Sequence, residues 1–255
     1  MPWFRLACRF AALAVLFAGS FAAAAERTQL LVYSTLEPDF VGELKKAFEA
    51  DNPDIEIVWQ RDSTGVITAR LLAERGERGD AIWGLAATSM MRLKKEGLLK
   101  SHAPPNLHEI RPNFRDAETP PAWVGMEAWA AAVCFNTAEA EKLGLPKPAS
   151  WYDLLDPRFR GRITMPDPGS SGTGYFHVSA WLQLFGEEEA WRFMDRLHPN
   201  IATYEHSGAK PCRNAAAGEF PVGISYELAG TQAKQKGAPM DVLLMKEGGG
   251  WDMDA

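Results

Sequence analysis

Cysteine is scarce: there are three in 255 residues. Cys8 lies near the N-terminus, which leaves Cys134 and Cys212 in the body of the chain. Neither has a Cys or His neighbour at zinc spacing, so no metal site is expected. The five histidines, at 102, 108, 177, 198 and 206, contain no i,i+4 pair, and H-E-x-x-H is absent, which removes the zinc-protease pattern. No glycine-rich turn is followed by Gly-Lys-Ser/Thr, so there is no nucleotide P-loop. Gly169-Ser-Ser-Gly-Thr173 misses the G-x-S-x-G nucleophile elbow because threonine stands at 173. No enzyme and no cofactor is therefore expected. Basic residues are also in deficit, 27 Lys and Arg against 33 Asp and Glu. That balance argues against a nucleic-acid partner, which would want a basic stripe. It does not argue against a small anionic ligand, because local donors hold such ligands. Low-complexity tracts and short repeats are missing as well.

What is present begins at the N-terminus. Arg5 and Arg9 precede an apolar run from Phe10 to Phe21, and Ala23 and Ala25 stand at A-x-A spacing before Glu26. These are the parts of a secretory signal, with cleavage expected after Ala25 and a periplasmic destination. The run is shorter than the ~20 apolar residues of a membrane span, and no later segment reaches that length without charges. A lipid anchor at Cys8 is set aside because Cys8 precedes the apolar run, and an uncleaved anchor helix because of the closing alanines. Cleavage would remove two arginines and no acids, taking the net charge from −6 to −8. The remaining residues suffice for one large or two modest domains. In an oxidising compartment Cys134 and Cys212 could pair or could stay as two small buried thiols.

The body of the chain alternates strand and helix. An apolar strand at 29–33 leads through Ser34-Thr35 into an amphipathic helix over about 37–50, stopped by Asn52-Pro53. A strand at 55–59, the turn Asp62-Ser63-Thr64-Gly65 and a helix from Val66 repeat the unit. A strand at 80–83, the turn Ala87-Thr88-Ser89 and a helix through Lys95 repeat it again. Such alternation implies a parallel sheet with crossover helices, an α/β fold. Residues 101–121 carry five prolines and read as irregular surface. After a strand at 129–135 a second α/β block follows, with strands at 163–165, 201–204 and 222–226. Two blocks joined by extended segments make two lobes with a cleft. We take 26–132 as the first lobe, 133–227 as the second, and 228–255 as a segment returning to the first.

The recurrent chemistry is a hydroxyl pair at the strand-to-helix turn: Ser34-Thr35, Ser63-Thr64, Thr88-Ser89, Ser170-Ser171-Gly172-Thr173 and Ser207-Gly208. In a parallel sheet these turns share the carboxyl edge, where ligands bind. Each helix start offers free N–H groups and a partial positive charge. Several such starts converging on one cleft make an anion site without a lysine. Plain helix capping explains any single pair equally well, but Ser170–Gly174 has more glycines and hydroxyls than a cap requires. Glu37, Trp83, Tyr175, Tyr226 and Glu227 fall near the same edge, where a carboxylate and an aromatic face could hold an amine. Core packing competes for each of these. A hydrolase built on Ser171 and His206 is the rival from another class.

Arg61-Asp-Ser-Thr-Gly65, Ile82-Trp-Gly-Leu-Ala86, Cys134-Phe-Asn-Thr137, Pro168-Gly-Ser-Ser-Gly-Thr-Gly174, His206-Ser-Gly-Ala-Lys-Pro-Cys212 and Gly218–Ser225 carry a resemblance. Over about residues 28–255 the chain resembles the 2-aminoethylphosphonate ABC transporter substrate-binding proteins. These are a branch of the type II periplasmic binding proteins that also holds ferric-ion and thiamine binders. The resemblance implies a monomer of two hinged lobes closing over one small phosphonate and docking on a permease, with ATP hydrolysed elsewhere. The matching positions for ligand oxygens are Ser34, Thr35, Ser63, Thr64, Ser171, Gly172, Thr173 and Ser207, and Ser170 in the same turn is a further ligand-binding candidate. Tyr226 and Glu227 are candidates for closing over the ligand. Ser225-Tyr226-Glu227 lacks the tyrosine pair of the ferric binders, which favours an organic anion over iron. Family members continue past the Gly-Trp-Asp stretch at 250–252, so the first lobe is expected to lack part of its sheet cover.

Overall fold

The computed structural model describes residues 27–75 and 79–255; the expected signal segment lies outside the described residues. The first lobe is built from β1 (Thr28–Ser34), α1 (Pro38–Asp51), β2 (Ile55–Arg61), α2 (Thr64–Glu74), β3 (Ala81–Ile82) and α3 (Ala87–Lys95). Its sheet has the order β2-β1-β3 with both pairs parallel. The alternation in the sequence thus gives the expected crossover helices. Pro38 opens α1 at a position where a missing N–H costs nothing. Tyr33, Ile67, Leu71, Leu85, Met90 and Leu93 form this lobe's core.

A long strand, β4 (Glu127–Asn136), leads to the second lobe, which continues with α4 (Thr137–Lys142), β5 (Ile163–Pro166), α5 (Gly172–Phe185), α6 (Glu187–Leu197), β6 (Ile201–Glu205), α7 (Lys210–Ala216), β7 (Val222–Tyr226), α8 (Glu227–Gln235) and β8 (Met240–Leu243). The sheet runs β6-β5-β7-β4-β8, with β5 parallel to both neighbours and β4 antiparallel to both of its own. The last strand, β9 (Trp251–Asp254), pairs with the first residues of β4 and bridges Ala86 to Asp254. The return to the first lobe therefore occurs at β9. The expectation that it starts at 228 is corrected, because β8 is a ladder partner of β4 inside the second sheet. The cysteines, left open by the sequence, form a Cys134–Cys212 disulfide with Cα atoms 5.3 Å apart.

The second core centres on Trp151, Trp181, Phe159 and Phe193. His177 is wholly buried beside it, ring centroids 5.6 Å from both Trp151 and Trp181. Its Nε2 meets the Ser225 carbonyl at 2.8 Å, while Nδ1 has no partner among the described residues. Burial disfavours the imidazolium and pulls the pKa down to about 4. Between pH 6.5 and 4 the unfolded chain takes up a proton that the folded one refuses. The stabilisation is whole above 6.5 and falls by about 3 kcal/mol as pH drops through the folded pKa. Urea midpoints for wild type and His177→Gln, which keeps a donor for Ser225 but does not titrate, should converge on acidification. Parallel pH dependences would show that His177 ionises normally in the fold.

Candidate functional site

The N-termini of α2 and α5 meet across the cleft. Gly65 N–H donates to the Ser170 carbonyl at 2.9 Å, and Ser63 Oγ donates to the His206 carbonyl at 2.8 Å. The approach demands glycine: a Cβ on Gly172 would lie 2.5 Å from Thr64 Oγ1, and one on Gly65 2.8 Å from the Ser170 carbonyl oxygen. Charged pairs fasten the lips. His206 Nε2 is 2.7 Å from an Asp62 carboxyl oxygen, and this contact holds the Asp62 carboxyl below its usual range. Arg213 reaches across to Glu37 at 2.9 Å, and Arg61 approaches the same carboxylate at 3.5 Å. The lobes are closed.

Beneath the lips lies a cavity of about 70 Å³. One part of its wall is a ring of donors: Ser63 and Thr64 at the start of α2, Ser171, Gly172 and Thr173 at the start of α5, and Ser207 on the loop after β6. Ser171 is the N-cap of α5, accepting from the Gly174 N–H at 3.4 Å, whereas the Ser63 side chain caps nothing. Two helix starts therefore direct partial positive charge and unpaired N–H groups at one space. A second part of the wall is formed by Glu127, Trp129, Tyr226 and Asp254. The Trp129 and Tyr226 ring centroids are 5.8 Å apart. Burial pushes Asp254 up to about 7, reinforced by the Glu127 charge, and burial raises Glu127 as well. Burial also raises the Tyr226 phenol, so it stays protonated.

Of the residues singled out from sequence, Thr35, Glu37, Ser63, Thr64, Ser171, Gly172, Thr173, Ser207 and Tyr226 line the cavity. Four do not. Ser34 is fully buried and its Oγ accepts the Leu36 N–H. Trp83 packs among Phe48 and Trp59 at 6.3 and 5.6 Å. Ser170 serves through its carbonyl at the lip. The Glu227 carboxylate accepts the Ala130 N–H at 2.6 Å. Thr88 and Ser89 also face elsewhere, toward Asp252 and Thr68. Glu37 lines the cavity, but two arginines already occupy its carboxylate. The carboxyls left to meet a ligand are thus Glu127 and Asp254, neither anticipated from sequence. They stand far apart in the chain and come together through the β4–β9 pairing. Ser171 and His206, the pair a hydrolase would need, are turned to Gly174 and Asp62 respectively.

The family model described as bacterial extracellular solute-binding protein matches residues 84–251. The chain belongs to that family. Its architecture is shared with the periplasmic binding protein AfuA from Actinobacillus pleuropneumoniae, solved with exogenous fructose-6-phosphate bound. That likeness has a TM-score of 0.84 at 32% identity and covers 89% of this chain and 72% of AfuA. An uncharacterized protein of Haemophilus influenzae is 30% identical over 88% of this chain. A probable ABC transporter periplasmic-binding protein of Sinorhizobium fredii is 26% identical over 76% of it. The chain spans 66% and 54% of the length of those two relatives.

Proposed function

We propose that this protein is the periplasmic receptor of an ABC importer, closing over a small amine-bearing phosphonate, with 2-aminoethylphosphonate the leading candidate, and presenting it to a permease. The observation that carries the reading is the division of the cavity wall. Hydroxyls and N–H groups from two helix starts suit a phosphorus oxyanion, while the Glu127–Asp254 carboxyls and the Trp129 and Tyr226 rings suit an ammonium group. Hydrogen bonds to an ionised group contribute about 1.5–3 kcal/mol each. Four or five of them, less ordering and desolvation costs, support micromolar binding, about −8 kcal/mol. The likeness to a probable ABC transporter binding protein supports the importer role.

A hexose phosphate is the second reading, favoured by the likeness to AfuA with fructose-6-phosphate bound, since carboxyls also accept sugar hydroxyls. The lining weighs toward the amine: an acid pair beside two aromatic rings suits an ammonium group, which a hexose phosphate lacks. Ferric ion is less well served, because Tyr226 is the single tyrosine among the described residues of the cavity wall. Calorimetric titration with 2-aminoethylphosphonate, fructose 6-phosphate and inorganic phosphate decides between them. Saturable binding strongest for the aminophosphonate is the expected result. Tighter binding of fructose 6-phosphate would transfer the assignment to sugar phosphates, and flat heats with all three on folded protein would overturn it.

A further inference from the structure

Glu127 and Asp254 are register partners in the antiparallel β4–β9 pair, and both line the cavity. Directly opposed positions on such strands send their side chains to one face, about 4.5–5.5 Å apart, where like charges repel. Among the described residues, no cation is at hand to neutralise them. The two arginines near the cavity, Arg61 and Arg213, are both drawn to Glu37. The other groups around the pair add acid or are neutral. Asp252 on β9 is held by Thr88 of α3 at 2.9 Å, and Glu227 of α8 lies close enough to raise Glu127 further. Tyr226 of β7 keeps its proton, and Trp129 Nε1 donates to Asp254 Oδ1 at 3.4 Å. Two carboxyls placed this way cannot both ionise without a counter-ion.

We propose that the unliganded cleft holds one proton between Glu127 and Asp254, and that the solute's ammonium group displaces it. The inference rests on the amine-bearing ligand proposed above. The balance is simple: the singly charged pair takes up R–NH₃⁺, becomes doubly charged, and gives its proton to solvent. The upward shift of Asp254 to about 7 is consistent with a proton held near neutrality. A ligand offering only hydroxyls lacks the charge to expel it, so the proton count also reports the chemical class of the solute.

The test is calorimetry of 2-aminoethylphosphonate at pH 6.5 in two buffers of different ionisation enthalpy, on wild type and Asp254→Asn. Any proton exchanged by the phosphonate itself is common to both proteins. Wild type should release roughly half to one proton more than the variant. A second measurement does not depend on the variant's affinity. Carboxyl ¹³C resonances of free wild type should include one titrating near neutrality, missing from Asp254→Asn and ionised throughout in the complex. Equal proton release, or Glu127 and Asp254 both titrating in the ordinary carboxylate range, overturns the inference while leaving the ligand assignment intact. A folded wild type that binds no aminophosphonate overturns both.

Discussion

Replacing Ser171 and Thr173 together by alanine should weaken solute binding by about 10²–10⁴-fold while leaving the fold largely intact. Both side chains stand at the start of α5 on the cavity wall and are buried. Two lost hydrogen bonds to an ionised group cost about 3–6 kcal/mol in total, and every 1.4 kcal/mol is roughly tenfold. The N–H groups of the helix start survive the substitution, so residual binding should remain. The structural cost is smaller. Ser171 accepts the Gly174 N–H at a long 3.4 Å, and losing a cap costs about 1 kcal/mol. Calorimetry and a thermal melt on the same sample separate the two effects. An unchanged Kd would remove the α5 start from the binding site.

Removing the Cys134–Cys212 disulfide should lower the melting temperature by roughly 5–15 °C. The bridge spans 78 residues of sequence, and cross-links closing loops of that order contribute about 2–5 kcal/mol, mainly by restricting the unfolded chain. For a protein of this size each kcal/mol moves the midpoint by about 2–4 °C. Cys134 sits on β4 and Cys212 in the first turn of α7, both fully buried. The bridge therefore ties the strand shared by the lobes to the helix that follows Ser207 and Gly208. Melts of Cys134→Ala/Cys212→Ala against wild type, with and without dithiothreitol, check the claim. A double variant as stable as wild type, or a wild type insensitive to reductant once unfolding exposes the bond, would refute it.

The hydroxyl-rich part of the cavity wall was legible because its signal is local. Ser171, Gly172 and Thr173 crowd a strand-to-helix turn more densely than capping needs, and they line the cavity. The same logic overreached at Ser34, which the β1 core swallows, and at Ser170, whose carbonyl rather than hydroxyl is engaged. Trp83 was drawn in by its place at a strand end, yet apolar area outweighs position and it packs with Trp59. Glu127, Trp129 and Asp254 were not found because no short motif joins them; only the β4–β9 register does. The one available hint was Trp251-Asp-Met-Asp254, acids alternating with apolar residues in a strand. The lobes themselves were readable from periodicity, but the point of return was not. Strand β8 reads the same whichever sheet it joins.

One strand serves two masters in this molecule. As far as Ala130, β4 is laddered to β9, and from Ala131 onward it is laddered to β7. The Ala131 N–H still reaches the Gly250 carbonyl at 3.0 Å, and the Ala130 N–H is taken by Glu227. Rungs fixed on both sides of a single peptide leave no freedom to slide, so opening must be a rotation about that crossing. Displacement then grows with distance from the pivot. The lip contacts at Asp62–His206 and Glu37–Arg213 travel furthest, and the carboxyl pair beside the pivot barely moves. For the aminophosphonate proposed above, the ammonium end would meet the carboxyl pair first and the anionic end would be gripped last, like an object laid against a doorpost before the door swings shut.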